Sequence, residues 1–242
     1  MTLTFAVVPT HDRPAELRQT LATLGLPPDR VLVVDNASTP PVADVPAHVV
    51  RDEEQPPNIY RLWNRGLDWA HERARGEEYA VAVLNDDLVL PGGFLEAMTA
   101  ALTRYGATIA YPDRSGDNED WHNTEQGPVL KPHRMTGYAF VVDGRSGLRA
   151  DERFRWWYGD DDLEWRAQAL GGTVRVGGVT VEHLHSNAST YASPVLHAQT
   201  EVDARAFIAK WGRPSWIFPA GEQPMSSVRR AGPPAADGST EG

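Results

Sequence analysis

Tyr79–Phe94 reads YAVAVLNDDLVLPGGF. The apolar run Tyr79–Leu84 is short and rich in alanine and valine, the pattern of a strand buried on both faces rather than of a helix. It stops at Asn85-Asp86-Asp87 and resumes as Leu88-Val89-Leu90. A strand that ends in acidic groups delivers them to the carboxyl edge of its sheet, where open α/β folds bind ligands. Adjacent buried carboxylates repel each other and are costly without a partner. A divalent cation bridging to a phosphate relieves that cost, because Mg²⁺ and Mn²⁺ prefer oxygen ligands. A plain polar turn between two strands is the competing explanation.

Upstream, Leu3–Val8 is a strand with the loop Pro9-Thr10-His11-Asp12-Arg13 at its carboxyl end. Pro14 opens a helix, Leu17, Leu21 and Leu24 share one face, and Gly25 with Pro27-Pro28 ends it. Val31–Val34 is a second buried strand that closes on Asp35-Asn36-Ala37-Ser38. A strand–helix–strand unit implies a right-handed crossover and a parallel pair, so the loops carrying Asp12 and Asp35 lie side by side. His48–Arg51 reads as a short third strand, and Asn58–Arg75 as a helix whose Arg61 and Arg65 are ordinary helix charges, with diphosphate contact the alternative. Phe94–Tyr105 is a further helix, and Gly106 closes the first half of the chain.

The second half is less regular. Ala107–Pro112 and Met135–Asp143 read as strands, with Asp113–Gln126 a long polar loop between them. The aromatic cluster Phe154–Gly159 runs into Asp160-Asp161-Asp162-Leu163-Glu164-Trp165-Arg166, with a helix from about Asp161 to Leu170. Asp162 and Arg166 have the spacing of an intrahelical ion pair. Thr173–Leu184 reads as a strand or a hairpin turning at Gly177-Gly178; if the strand continues, His183 and His185 point the same way. Val195–Trp211 is a closing helix, and the Pro-, Gly-, Ser- and Ala-rich residues 219–242 are expected to be a disordered tail.

The chain of 242 residues has 41% hydrophobic and 23% charged residues, a net charge of −10 and no cysteine. It can bury a full core as one α/β domain. Disulfides and thiolate metal sites are excluded, and the charge argues against broad attraction to nucleic acid or anionic lipid. No stretch approaches the ~20 apolar residues of a membrane span, and no signal peptide is evident, so a cytoplasmic location is the expectation.

Four segments in order resemble the inverting glycosyltransferases of family 2, including their rhamnosyl- and galactofuranosyl-transferase members. They are Pro9–Arg13, Val33–Ser38, Leu84–Asp87 with Pro91, and Gly159–Arg166. The resemblance covers roughly residues 3–190, and Asn64-Arg65-Gly66 adds a thin match to the family's Asn-x-Gly helix. It implies a single GT-A-type domain with a Rossmann-like, mostly parallel central sheet flanked by helices. That domain would span residues 1–218, with a nucleotide-binding half (1–106) and an acceptor and catalytic half (107–218).

Carried over residue by residue, Asp35 would hold the nucleotide's base or ribose. Pro9, Thr10, Arg13, Asn64, Asn85 and Asp86 would complete the donor site. Asp87 matches the last acid of the family's Asp-x-Asp motif and would hold a divalent metal, Mn²⁺ or Mg²⁺, with His183 or His185 as a further metal or diphosphate ligand. The sequence departs from the family at the first acid of that motif, where Asn85 stands. Asp160 matches the catalytic base, with Asp161 beside it. Trp156 and Trp157 could stack on a sugar or belong to the core, and Trp121 in the long loop is a candidate acceptor contact.

The residue types suit the chemistry. Departure of a nucleoside diphosphate builds negative charge, which a metal held by carboxylates stabilises. On the opposite face the acceptor hydroxyl must lose a proton to a carboxylate within hydrogen-bond reach. The implied partners are a nucleoside-diphosphate sugar and an acceptor hydroxyl on a glycan, a small molecule or another carrier. The rivals are a sugar-1-phosphate nucleotidyltransferase, which would want a Gly-rich phosphate loop where Pro9–Arg13 has no glycine, and a nucleotide-sugar-binding domain that has lost turnover.

Overall fold

The computed structural model describes residues 2–130, 133–185, 190 and 192–217. In the first half, β1 (Leu3–Thr10), α1 (Pro14–Leu24), β2 (Val31–Asn36) and β3 (His48–Asp52) are followed by α2 (Ile59–Ala74), β4 (Tyr79–Leu84), β5 (Leu88–Val89) and α3 (Phe94–Tyr105). The second half runs β6 (Ile109–Pro112), β7 (Trp121–Asn123), β8 (Val129–Leu130), β9 (Ala139–Asp143), α4 (Gly159–Gln168) and β10 (Thr173–Val176). It closes with β11 (Glu182–His183), α5 (Pro194–Trp211) and β12 (Trp216–Ile217).

Eight strands form one sheet in the order β3-β2-β1-β4-β9-β6-β10-β7. The β1, β2, β3 and β4 pairings are parallel, as is β6 with β10, while β9 and β7 run antiparallel to their neighbours. The sheet is therefore mostly parallel, and the carboxyl ends of β1, β2, β4, β6 and β10 share one edge.

The central strands are buried on both faces because both faces are covered. Phe5, Val7, Val81 and Val83 join a core with Leu62, Trp63 and Leu67 of α2. Their neighbours in sequence, Ala6, Val8, Ala80, Ala82 and Leu84, join a second core with Leu17 and Leu21 of α1 and Phe94 and Met98 of α3. This is why the strands read as continuous apolar runs rather than alternating ones. Gly66 brings α2 down onto the sheet: a Cβ there would sit 2.3 Å from Val7 side-chain carbons.

Several expectations are corrected. The strand expected over Met135–Asp143 forms only from Ala139, and residues 135–138 lead into it at the carboxyl edge of β4. The loop expected over Asp113–Gln126 contains β7, which hydrogen-bonds to β10. Thr173–Leu184 is not a hairpin. Both edges of β10 are already occupied, by β6 and β7, so the chain beyond Gly178 finds its partner elsewhere and β11 pairs with β5. Helix α4 starts at Gly159, before Asp161, and ends at Gln168. The expected disordered tail, 219–242, lies outside the described residues. Among the described residues no helix is long and apolar enough to cross a membrane.

Candidate active site

The parallel β1–β2 pair places its two end loops together, and they are bonded to each other. Asp12 N donates to Ser38 Oγ at 3.0 Å, Thr39 N donates to Asp12 Oδ1 at 2.6 Å, and His11 Nδ1 lies 2.6 Å from the Asn36 carbonyl. Next to them, β4 delivers Asn85-Asp86-Asp87 to the same edge. The Thr20 hydroxyl of α1 pins this turn: it receives the Leu88 amide at 2.9 Å and lies 2.8 Å from the Asp86 carbonyl oxygen.

The two acids of the turn differ in environment. Asp86 is buried, accepts from the Thr10 hydroxyl at 2.7 Å, and is pushed up to about 6 by that burial in spite of Thr10 and Arg13. Asp87 is also buried. Burial works against its charge, but His183 and Arg13 outweigh it and hold the carboxyl below the usual range. Arg13 Nη1 donates to Asp87 Oδ2 at 2.8 Å and lies 3.5 Å from Asp86 Oδ1.

On the other side, His183 Nε2 lies 3.1 Å from Asp87 Oδ1, yet that oxygen has no aligned hydrogen bond. Asn85 Nδ2 is 3.4 Å from the same imidazole nitrogen. His183 reaches this point because β11 pairs with β5, directly after the turn, with His183 opposite Leu88. His185 does not follow: the strand ends at His183, and His185 pairs with Glu16 at 3.4 Å, half exposed.

The second acidic group sits at the start of α4, where the dipole favours negative charge, but all of its carboxylates are buried. Asp162 is held by Arg166 at 2.9 Å, Lys210 Nζ at 2.5 Å and Trp211 Nε1 at 2.9 Å, so it is structural. Asp161 faces Arg134, whose Nη1 lies 3.1 and 3.2 Å from its two oxygens. Burial pushes Asp161 up against the pull of that guanidinium. Glu164, one turn on, accepts from Met135 N at 3.2 Å and is pushed up to about 8, first by burial and then by Asp161. Asp160 is the most accessible of the three aspartates, with 12% of its side chain exposed against 1% for Asp161 and 0% for Asp162.

Two consecutive residues join the acidic groups. Gly137 N donates to Asp160 Oδ2 at 3.1 Å. Tyr138, the next residue, accepts from Asn85 N at 2.8 Å and stacks on His183 with ring centroids 4.8 Å apart. The antiparallel register of β9 on β4, with Ala139 opposite Leu84, is what puts this dipeptide at the end of β4. The turn and the α4 acids thus face one edge, bridged by the Gly137-Tyr138 dipeptide through its contacts to Asp160, Asn85 and His183.

A family model for glycosyl transferase family 2 matches residues 5–159, well over half of the chain. The chain belongs to glycosyl transferase family 2. The match ends one residue before Asp160. No curated protein sequence matches the chain. Among solved structures, S. aureus TarS residues 1–349 superposes with a TM-score of 0.54 at 11% identity, over 82% of this chain and 65% of that one. GalNAc-T7, solved with UDP, GalNAc and Mn²⁺, gives 0.54 at 11% identity over 75% of this chain and 43% of that one. TarS 1–349 in complex with UDP gives 0.54 at 14% identity, covering 75% and 59%. The chain spans about two thirds or less of each of these proteins, and at such identities the likeness is one of fold, the GT-A fold.

Within this family 2 chain, the remaining candidate residues take the following places. Pro9 and Thr10 end β1, paired with Val34 and Asp35. Asp35 is buried and fully engaged: one oxygen accepts from Ser38 N at 2.9 Å, the other from Val42 N at 3.1 Å and Arg51 Nη1 at 2.7 Å. Burial would raise it, but these bonds hold it below the usual carboxylate value. The Asn64 amide ties α2 to the segment before the aromatic cluster, donating to the Ala150 carbonyl at 2.9 Å and accepting from Ala150 N at 2.8 Å. Trp156 and Trp157 are half-buried, their indole nitrogens 2.8 and 3.3 Å from the Thr190 hydroxyl. Trp121 stands on the outer strand β7 with His133 and Arg175, four strand spacings or about 19 Å along the sheet from β4.

The sequence reading missed Asp52, Arg134, Glu164 and Asp203. Asp52 is buried and binds both Arg61 and Arg65, at 2.5 and 2.6 Å. The i, i+4 spacing of those arginines was the available signal, since paired cations on one helix face invite a carboxylate.

Proposed function

We propose that this chain transfers a sugar from a nucleoside-diphosphate sugar to an acceptor hydroxyl, with inversion, using Asp160 as the general base. The observation that carries the reading is the bridge at Gly137-Tyr138, which sets a charge-compensated turn and the least buried of the α4 carboxylates on one sheet edge. The acceptor oxygen would attack the anomeric carbon as its proton passes to Asp160, the bond to the diphosphate breaks, and the nucleoside diphosphate leaves. Arg13, already drawn to Asp87, is placed to meet the charge that accumulates on the leaving group. Asp160, the less deeply buried of the two, and Asp161 divide the work: one meets the acceptor, the other anchors the helix through Arg134.

The fit to a divalent cation rests on Asp87 Oδ1, a buried carboxylate oxygen without an aligned hydrogen bond, facing an imidazole nitrogen. Oxygen with imidazole nitrogen suits Mn²⁺ or Mg²⁺. Asp87 and His183 would hold the ion. Among the described residues no group of three acidic or histidine ligands surrounds it, so the remaining ligands would be diphosphate oxygens and water. When bound, such an ion stabilises the negative charge of the departing diphosphate. GalNAc-T7, the structural neighbour solved with UDP and Mn²⁺, favours the same donor class here.

A panel of nucleotide sugars incubated with the full chain and Mn²⁺ tests the reading. Release of nucleoside diphosphate is expected. Release of pyrophosphate would instead indicate a nucleotidyltransferase, and nucleotide binding without release would indicate a domain without turnover.

A further inference from the structure

The backbone of the loop that carries the aromatic cluster into α4 is held from behind by one carboxylate, while the Arg155 side chain separately pairs with Glu54. Asp203, on α5, is completely buried. Its Oδ2 accepts from Trp156 N at 2.8 Å and from Trp157 N at 2.9 Å, and Arg155 N lies 3.3 Å from both of its oxygens. Its Oδ1 accepts from Gln199 Nε2 at 2.8 Å, one turn earlier on the same helix. These hydrogen-bond partners are neutral: the charge rests on three successive amides arranged as an anion-binding concavity. An isolated carboxylate is costly to bury, so a site that tolerates one is tightly specified.

Three consecutive amides converging on one carboxylate fix the backbone of residues 155–157. The next residue, Tyr158, takes a left-handed conformation (φ 66°) as the N-cap of α4, a strained state for a tyrosine that persists only where its surroundings over-determine it. Asp160 follows two residues later. The Arg155 carbonyl in turn accepts the Ile59 amide at 2.9 Å, which ties the same loop to the start of α2. Helix α5 lies wholly beyond the residues that the family model matches.

From this arrangement we infer that Asp203 is a positioning residue: its carboxylate, seated on the amides of Arg155, Trp156 and Trp157, sets where α4 begins and so where Asp160 meets the acceptor. The inference rests on the transferase reading above for its catalytic consequence, but not for its structural one. The hydrogen bonds of Asp203 go to Arg155, Trp156, Trp157 and Gln199 and not to the turn acids, so its loss should act on turnover and spare nucleotide binding.

The test uses the full chain with Asp203→Ala and Asp203→Asn, each read in two ways. The asparagine oxygen can still accept from the three amides while its NH₂ meets a turned Gln199, so this variant keeps the test alive if the alanine variant does not fold. In Asp203→Ala, hydrogen exchange of the amides of residues 155–157 should rise at least about tenfold while those of Val81–Val83 stay protected. Nucleoside diphosphate release should fall about 10- to 100-fold in kcat, with the Kd for UDP and Mn²⁺ within about twofold of wild type. Asp203→Asn should lose about three- to tenfold. Faster exchange with unchanged kcat overturns the inference. So does an Asp203→Asn protein that loses UDP affinity and turnover together, or one that matches wild type in both readouts while Asp203→Ala fails to fold. The exchange arm needs no turnover, so a wild-type protein that releases no nucleoside diphosphate sinks the transferase reading, whereas unprotected amides at 155–157 in wild type sink this one.

Discussion

The Gly137 amide donates to Asp160 Oδ2 at 3.1 Å, and this contact leaves no room for a side chain at Gly137. A Cβ there would sit 2.9 Å from Trp63 and 3.3 Å from both Cβ and Oδ2 of Asp160. Trp63 is itself buried and cannot yield freely. Gly137→Ala should therefore displace Asp160. Turnover is expected to fall about tenfold or more with UDP affinity nearly unchanged, and stability by about 1–3 kcal/mol from overpacking. Steady-state release assays with denaturant melts check both numbers.

At the other end of the bridge, Asp87 faces Arg13 and His183. Asp87→Ala should remove the response of nucleotide affinity to Mn²⁺ and to chelator, because the charged ligand is gone. His183→Ala should weaken that response while leaving some of it, since Asp87 remains. Isothermal titration with UDP, with and without Mn²⁺, measures both. Equal UDP affinity with and without chelator in wild type and in both variants would remove the metal from the account.

Much of the carboxyl edge of β1, β2 and β4 was legible in the sequence, because there the decisive interactions are local. Val31–Val34 and Tyr79–Leu84 are covered on both faces and so read as plain apolar runs, and the acids at their ends mark the carboxyl edge directly. Helix α1 announces itself through Pro14, its leucines and Gly25, which adopts a left-handed φ of 70° as cap. The second half resisted because its pairings are remote. Nothing in Thr173–Leu184 says that β10 has both edges taken, or that His183 will land beside Asp87 while His185 turns to Glu16. Helix α4 resisted for another reason: Asp160, Asp161, Asp162 and Glu164 are all buried, so it shows no amphipathic stripe, and its counter-charges, Arg134 and Lys210, come from elsewhere in the chain. A run of acids in a helix with one basic residue at i+4 was the clue that distant cations would be needed.

The buried acids give the protein a defined pH response. Glu164 is raised from 4.5 to about 8, so the fold binds its proton more tightly than the unfolded chain does. Its contribution to stability is complete below the ordinary glutamate value and is lost as pH rises through the folded value. Asp161, raised by burial, has the same sign. Melting temperature should therefore decline between about pH 5 and pH 9, and Glu164→Gln, which keeps the acceptor for Met135 N, should flatten that decline. An unchanged slope in the variant would show that Glu164 is not the group responsible.

Asp162 is fully buried between Arg166, Lys210 and Trp211. Removing one partner of a buried charged cluster leaves the others uncompensated, so Asp162→Ala should cost about 3–5 kcal/mol in denaturant unfolding. A loss under 1 kcal/mol, measured as a shift of about that size, would mean that water reaches Lys210 and Arg166 once the carboxylate is gone.

The central claim is that Asp160, and not its neighbour, takes the acceptor's proton. It is tested most directly by measuring kcat for nucleoside diphosphate release and the Kd for UDP with Mn²⁺ in wild type, Asp160→Asn and Asp161→Asn. In Asp160→Asn, kcat should fall about 100-fold or more with Kd within about twofold. Asp161→Asn, which removes the carboxylate charge that Arg134 Nη1 straddles, should lower the melting temperature and cost turnover less than about tenfold per folded molecule. A stable Asp161→Asn protein that binds UDP normally and is dead, beside an active Asp160→Asn, would contradict the account.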